Sequence, residues 1–239
     1  MNGYWIALCT GSVFFYRRAT SPMGTWSVKV GPAWDSYGMP YPLEDIFYGN
    51  GYWVLRCGHM TKYSSNLTGD SWANTGLPNG AGSANYHSNL YWENGYWYAL
   101  SVMSSNYEYK LRRTANAAPN GGWELVSGAP TFYGGYIQKI QDVYVILGYY
   151  SSGGDNHIKV HWAETLDGEW TVYEKYSSTA DGGSNWAQAK STICEGNGWL
   201  AFLVGTTKSS AGHAWYMNTE PVLPTISDAD AYVYVRAKL

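Results

Sequence analysis

The chain has 239 residues, of which 17% are aromatic and only 14% charged, with 23 Tyr, 13 Trp and 28 Gly. A net charge of −3 gives no basis for binding nucleic acid or an anionic membrane. No run approaches the roughly 18 apolar residues of a membrane helix. We also expect no signal peptide, because no basic, apolar segment follows Met1. The three cysteines are scattered without metal-ligand spacing, so we expect no disulfide framework and no zinc site. Because HExxH, GxGxxG and P-loop motifs are also missing, we expect no metal and no cofactor.

The predicted elements are short strands, best seen in chain order over residues 43–75. Residues 43–50 (LEDIFYGN) form a strand that ends in an Asn-Gly turn, and 51–57 (GYWVLRC) form its hairpin partner. Residues 60–65 form the third strand and 71–75 the fourth. Because no window shows a sustained period of 3.6, we expect almost no helix.

This four-strand unit repeats along the chain. Its first marker is NGYW at 2–5, 50–53 and 94–97, with degenerate copies QDVY at 141–144 and GNGW at 196–199. A second marker follows four of these copies: TSPMGTW at 20–26, SNLTGDSW at 65–72, NAAPNGGWEL at 116–125 and TLDGEW at 165–170. Two independent markers in the same phase make chance similarity a poor explanation.

A repeated four-stranded meander of about 45 residues is typical of a propeller blade. The sequence therefore predicts an all-β fold in one domain, 1–239, a five-bladed β-propeller of four-stranded antiparallel blades. The approximate blades are 1–31 with 230–239, 32–77, 78–127, 128–176 and 177–229. The chain starts at the second strand of a unit, so we expect the C-terminal strand, 231–239, to pair into the N-terminal blade and close the ring. Six blades stay an alternative, although only five copies can be counted.

The markers resemble the degenerate Asp-box (BNR-like, sialidase-type) repeats of bacteriophage tail, fibre and other virion structural proteins. The resemblance covers nearly the whole chain and implies a propeller whose boxes are turns on the rim, without catalytic chemistry. The box at 65–72 departs from the pattern, since Leu67 stands at the usual Asp position, whereas TLDGEW keeps Asp167 and Gly168 but is shortened. The tail at 223–239 also resembles the ends of phage tail and fibre proteins.

The polar residues give little support for catalysis. Sialidase chemistry, as the resemblance implies, needs three arginines around a carboxylate, and no Arg lies in the first strands of blades 2 to 5. The doublets Arg17–Arg18 and Arg112–Arg113 are interpreted as solvated strand faces. Glu44 and Asp45 begin one inner strand as a possible acid pair, but the inner strands of blades 3 and 4 offer no further acid. We therefore expect no enzyme and no catalytic residues.

A ligand would bind where the outer-to-inner connections meet, because these loops are long and aromatic. The alternative is that their aromatics fill the axis and pack between blades. The predicted ligand-binding residues are Trp34, Tyr37, Tyr41, Glu44, Asp45, Tyr86, His87, Tyr136 and Trp186.

These features together favour a non-enzymatic bacteriophage virion protein, a tail, fibre or capsid-surface module for assembly or host attachment. Its expected partners are other virion proteins and a host-surface glycan or protein, with several copies on the particle. It would be made in the host cytoplasm and located in the virion. A free-standing lectin-like propeller is the alternative, and a glycoside hydrolase is a third hypothesis.

Overall fold

The computed structural model describes residues 4–9, 15–27, 43–57, 60–67, 72–78, 87–102, 108–133, 137–140, 142–152, 155–177, 192–196, 199–204 and 213–218. The predicted site residues Trp34, Tyr37, Tyr41, Tyr86, Tyr136 and Trp186, and the closing strand 231–239, lie outside these ranges. The chain folds as two compact units, residues 1–131 and 132–239, and each is described by itself.

Unit 1 contains three antiparallel sheets. Sheet 1 consists of β1 (Trp5–Cys9) and β2 (Phe15–Ala19). Sheet 2 has the order β3-β4-β5-β6, formed by Leu43–Gly49, Tyr52–Cys57, Met60–Ser64 and Ala73–Asn74. Sheet 3 has the order β7-β8-β9-β10, formed by His87–Glu93, Tyr96–Val102, Glu108–Thr114 and Glu124–Leu125.

Unit 2 begins with the short strand β11 (Phe132–Tyr133) and contains two further sheets. Sheet 4 has the order β12-β13-β14-β15, formed by Ile137–Ile140, Val143–Ser152, Asp155–Ala163 and Thr171–Ser177. Sheet 5 has the order β16-β17-β18, formed by Thr192–Gly196, Trp199–Val204 and His213–Asn218.

The predicted all-β class with four-stranded antiparallel sheets is confirmed. Sheets 2, 3 and 4 are meanders in which each strand pairs with the next along the chain. Within the described ranges every element is a strand, and no helix there is long and apolar enough to cross a membrane.

The NGYW marker is a hairpin turn followed by a buried strand residue. Asn50 and Gly51 both have positive φ, 42° and 80°, and so do Asn94 and Gly95, at 49° and 84°. Positive φ at both central residues matches the right-handed twist of the flanking strands, which is why Asn-Gly is favoured there. The marker therefore fixes the register between the first two strands of sheets 2 and 3.

The repeat also explains how the sheets of unit 1 pack. One core cluster joins Tyr16 of sheet 1 to Ile46, Trp53 and Leu55 of sheet 2. The next cluster joins Val54 of sheet 2 to Leu90, Trp97 and Ala99 of sheet 3. These three residues have the repeat positions that Ile46, Trp53 and Leu55 have in sheet 2. Sheets 2 and 3 thus each bury the Trp side of their second strand against the preceding sheet.

The second marker is a turn in both units. The backbone N–H of Gly24 donates to the carbonyl of Ser21 (3.0 Å), and that of Gly168 donates to the carbonyl of Thr165 (3.1 Å). Leu67, which stands at the usual Asp position, is buried, and its carbonyl accepts a 2.9 Å hydrogen bond from the Tyr16 hydroxyl. Leu67 therefore contributes to the packing between sheets 1 and 2.

Candidate functional site

A layer of polar side chains lies on the face of sheet 2 that packs against sheet 3. Val54 marks this face because it belongs to the core shared with sheet 3. Arg56 lies two residues further along β4 and therefore on the same face. Asp45 of β3 and Thr61 of β5 are directly opposite Arg56, so the three residues form one row across the sheet.

The row lies where β3 begins, and β3 is irregular there. The pairing passes from Leu43 opposite Cys57 directly to Asp45 opposite Arg56, so Glu44 is an extra residue. The Asp45 carboxylate is half-buried and accepts a 2.9 Å hydrogen bond from the backbone N–H of Ile46. Such bulges are frequent beside active sites because they re-aim side chains. The first strand of sheet 3, β7, has a similar register shift between His87 and Leu90.

Sheet 3 contributes a second polar row that faces sheet 2. Arg112 is opposite Ala99, and Lys110 is opposite Ser101, so both cations share the face of the Ala99 core residue. The Arg112 Nε donates a 2.8 Å hydrogen bond to the Ser101 hydroxyl, and Lys110 donates to the Thr131 hydroxyl. Glu108, two residues before Lys110, lies on the same face and is half-buried.

We call this set the polar layer: Asp45, Arg56 and Thr61 of sheet 2 with Ser101, Glu108, Lys110 and Arg112 of sheet 3. It holds three cations and two carboxylates with two hydroxyls. Arg56 is only 4% exposed, and burial lowers the pKa of the Arg112 guanidinium. Charged side chains enter protein interiors with partners, and the polar layer brings charges of both signs and hydroxyl groups to the facing sides of sheets 2 and 3.

The Arg112–Arg113 doublet was predicted to lie on a solvated strand face, and that interpretation holds for one of its members. Arg113 points to the opposite face from Arg112, lies 4.7 Å from the Tyr96 ring centroid and forms a 2.8 Å ion pair with Glu124. The hydrogen bond to Glu124 raises the pKa of Arg113. Arg112 is the inward-facing member, because neighbours along a strand point to opposite faces.

Among the predicted site residues, the structure describes the side chain of Asp45 and places it in the polar layer. For Glu44 and His87 it gives the backbone positions, both at the irregular starts of first strands. The six loop aromatics lie outside the described residues, so their role in binding stays a prediction.

Sequence reasoning missed the cationic part of the layer, although the repeat carries a signal for it. In four repeats, the third strand has a basic residue two positions before the residue that pairs with the last residue of the NGYW marker. These basic residues are Arg17, Lys62, Arg112 and His161. One basic residue therefore recurs at one repeat position in four sheets. Inspecting third strands as well as first strands would have identified Arg112.

No group of three or more His, Cys, Asp or Glu side chains that could hold a metal ion is found in the described part of the chain. The chemistry available in the polar layer is that of carboxylates, cations and hydroxyl groups.

The sequence matches no protein-family model and no curated protein. Solved structures with similar folds include an endo-1,4-β-xylanase from Bacteroides thetaiotaomicron, with 13% identity, coverage of 95% of this chain and 91% of that chain, and a TM-score of 0.49. A thermostable family-43 glycoside hydrolase has 11% identity, 95% and 89% coverage and a TM-score of 0.46. An α-L-arabinofuranosidase from Clostridium thermocellum has 12% identity, 76% and 70% coverage and a TM-score of 0.40.

This comparison contradicts the prediction of a non-enzymatic bacteriophage virion protein, because the similar solved structures are glycoside hydrolases. The prediction is wrong for a physical reason: repeats and aromatics specify how sheets pair and pack, whereas a function depends on a few side chains placed on the fold. At 11–13% identity and TM-scores below 0.5, the likeness transfers neither substrate nor mechanism to this chain.

Proposed function

We propose that this protein hydrolyses glycosidic bonds and that Asp45 is one of its catalytic carboxylates. The observation that carries the proposal is the half-buried Asp45, set by a bulge at the start of β3 and directly opposite the buried Arg56. Glycoside hydrolysis needs little more than two suitably placed carboxylates and a polar surface that holds the sugar hydroxyls. The polar layer contains groups of both kinds.

The Arg56 guanidinium favours a role for Asp45 in which its carboxylate is ionised. A positive charge opposite the carboxylate suits a general base or nucleophile, since in both roles the group acts as an anion. The second carboxylate would donate a proton to the leaving oxygen as the glycosidic C–O bond breaks. Two acids are candidates for it, Glu44 in the bulge and Glu108 on the facing sheet.

The test is sugar release from polysaccharides and aryl glycosides, including β-1,4-xylan and arabinofuranosides as probes. Wild-type protein should release reducing sugar, and Asp45→Asn should lower kcat by about 10²-fold or more. Glu44→Gln and Glu108→Gln identify the second acid, because kcat should fall by a comparable factor only in the variant that lacks the true partner of Asp45. Asp142→Asn, at an exposed turn position, is the matched control and should keep full activity.

Two outcomes would contradict the proposal. One is the absence of sugar release from every substrate tested by folded wild-type protein. The other is an Asp45→Asn variant that retains wild-type kcat.

We further propose that the sheets are blades of a five-bladed propeller, closed by residues 231–239. Two observations support this. Among the described strands β1 pairs with β2 alone, whereas its repeat equivalents β4, β8, β13 and β17 each pair on both sides. Trp5 is 55% exposed, although the equivalent Trp53 and Trp97 are 3% and 0% exposed. A further strand beside β1, with a neighbouring sheet over Trp5, would give sheet 1 the environment of sheets 2 and 3.

A further inference from the structure

We infer that Lys110 and Arg112 form a subsite for the carboxylate of an acidic sugar, a uronic acid residue of the substrate. The inference rests on the proposed carbohydrate function, which it deepens by naming a substrate class. Both side chains lie on the face of β9 that is turned towards sheet 2, and Asp45 lies on the face of sheet 2 that is turned towards sheet 3. A uronate held there would be bound on the side of sheet 3 that is turned towards the candidate catalytic carboxylate.

Charge and burial support an anionic ligand. The charged groups of the polar layer are the cations Arg56, Lys110 and Arg112 and the carboxylates Asp45 and Glu108, an excess of one positive charge. Because burial disfavours the charged form of Arg112, an anion bound there would recover part of the solvation that the guanidinium loses. The partial exposure of Lys110 and Arg112 leaves them within reach of a ligand.

Geometry favours a carboxylate over other anions. The Arg112 guanidinium is a planar fork of N–H donors, which matches the two oxygens of a carboxylate. Its Nε bond to Ser101 orients the plane of that fork on the rigid β8–β9 pair. Lys110, two residues along the same face, adds a second positive charge from a flexible stem.

The experiment compares binding of polygalacturonate with binding of its fully methyl-esterified form, by isothermal titration calorimetry at moderate ionic strength. The two polymers share a backbone and differ only in the charge of the carboxyl group. Wild-type protein should prefer the free acid, and Arg112→Gln should weaken that binding about tenfold or more while leaving the ester unaffected.

Arg113→Gln is the matched control, because it removes the same charge from the adjacent residue on the opposite face. It should leave polygalacturonate binding unchanged. Arg112→Lys keeps the charge without the planar fork, so its affinity for polygalacturonate should lie between those of wild type and Arg112→Gln. If Arg112→Gln does not fold, Lys110→Gln serves as the second variant, with unchanged thermal unfolding as the requirement for use.

Three results would overturn the inference: equal affinity for the acid and its ester, an equal loss in Arg112→Gln and Arg113→Gln, or equally tight binding of dextran sulfate. The last would indicate general attraction of polyanions without recognition of a carboxylate. Failure of the proposed function is distinguishable, because binding is measured without turnover. Uronate binding without sugar release would contradict only the hydrolase, whereas release from neutral glycans without a uronate preference would contradict only the subsite.

Discussion

Two glycines of the β3–β4 hairpin, Gly49 and Gly51, have different reasons to lack a side chain. Gly51 has a φ of 80° and open space around its missing Cβ. At Gly49, an added Cβ would come within 2.5 Å of the Trp92 Cβ and 3.0 Å of the Trp97 ring. Gly51 is required by the turn, and Gly49 by the close approach of sheets 2 and 3.

Substitution of Gly49 by Ala should lower the free energy of unfolding by about 2 kcal/mol. The methyl group would meet the Trp92 Cβ, which cannot move without shifting the β7 backbone, and overpacking of this kind costs about 1–3 kcal/mol. Chemical denaturation with fluorescence detection measures the change. Unchanged stability would show that the two sheets lie further apart than in this structure.

Substitution of Gly51 by Ala should cost about 1 kcal/mol through the backbone alone, because an L-residue at positive φ is strained and no atom opposes the methyl group. A D-alanine at the same position tolerates positive φ, so a semisynthetic chain that carries it should unfold at the wild-type denaturant midpoint. A loss of stability with both the L- and the D-residue would mean that the turn is not the source of the effect.

At the scale of elements, the second-marker tryptophan of sheet 3 forms a hydrogen bond to the end of sheet 2. Trp123, which precedes β10, donates a 2.9 Å hydrogen bond through its Nε1 to the carbonyl of Thr75, beyond the last strand of sheet 2. Thr75 in turn is bonded to Thr61 through both backbone and hydroxyl groups. This chain of contacts connects the outer edge of sheet 2 to the polar layer.

Substitution of Trp123 by Phe should lower the free energy of unfolding by about 2 kcal/mol, since it leaves the buried Thr75 carbonyl without this donor and removes part of a packed ring. The same change at Trp26, the corresponding residue of the first marker, is the control. Trp26 is only half-buried, so the loss there should be smaller. Equal losses at both sites would argue against a specific role of the bond to Thr75.

At the scale of the whole molecule, the proposed ring would make residues 231–239 a condition of stability for sheet 1. Trp5 exposes 55% of its surface, whereas the equivalent tryptophans of sheets 2 and 3, Trp53 and Trp97, are buried. Burying an aromatic side chain of this size stabilises a protein by about 2 kcal/mol. We therefore expect a segment that covers Trp5 to raise the free energy of unfolding.

Deletion of residues 231–239 should therefore lower Tm by several degrees and increase the fluorescence accessibility of Trp5 to an aqueous quencher. A synthetic peptide of the same nine residues, added in excess to the shortened chain, should restore part of the loss by mass action. A shortened chain with wild-type Tm and wild-type quenching would contradict closure by this segment.

Particular residues show how far the sequence predicts the fold. The Asn-Gly pairs at 50–51 and 94–95 predict hairpins and their register, because few other dipeptides accept positive φ twice. The start of β3 was predicted within the strand 43–50, but its bulge at Glu44 was not. A bulge depends on how the strand end meets its partner, which alternation in one strand does not encode.

The candidate site was predictable only in part. Asp45 was identified because it begins a first strand, whereas Arg56, Glu108, Lys110 and Arg112 were missed because they lie in second and third strands. Which face of a strand packs inward is set by the neighbouring sheet, and that information is absent from one strand's sequence. The Arg112–Arg113 pair shows the consequence: identical neighbours have opposite environments.

The sequence by itself determined the all-β class, the repeating four-strand unit and the turns, because these depend on local conformational preferences and on the period of the pattern. Only the tertiary structure decided that Asp45 lies opposite Arg56, and that Lys110 and Arg112 of the next sheet share the polar layer with them. These residues are brought together by sheet-on-sheet packing between segments far apart in the chain. Burial and charge at such a place exist only after folding, and the chemistry of the site depends on both.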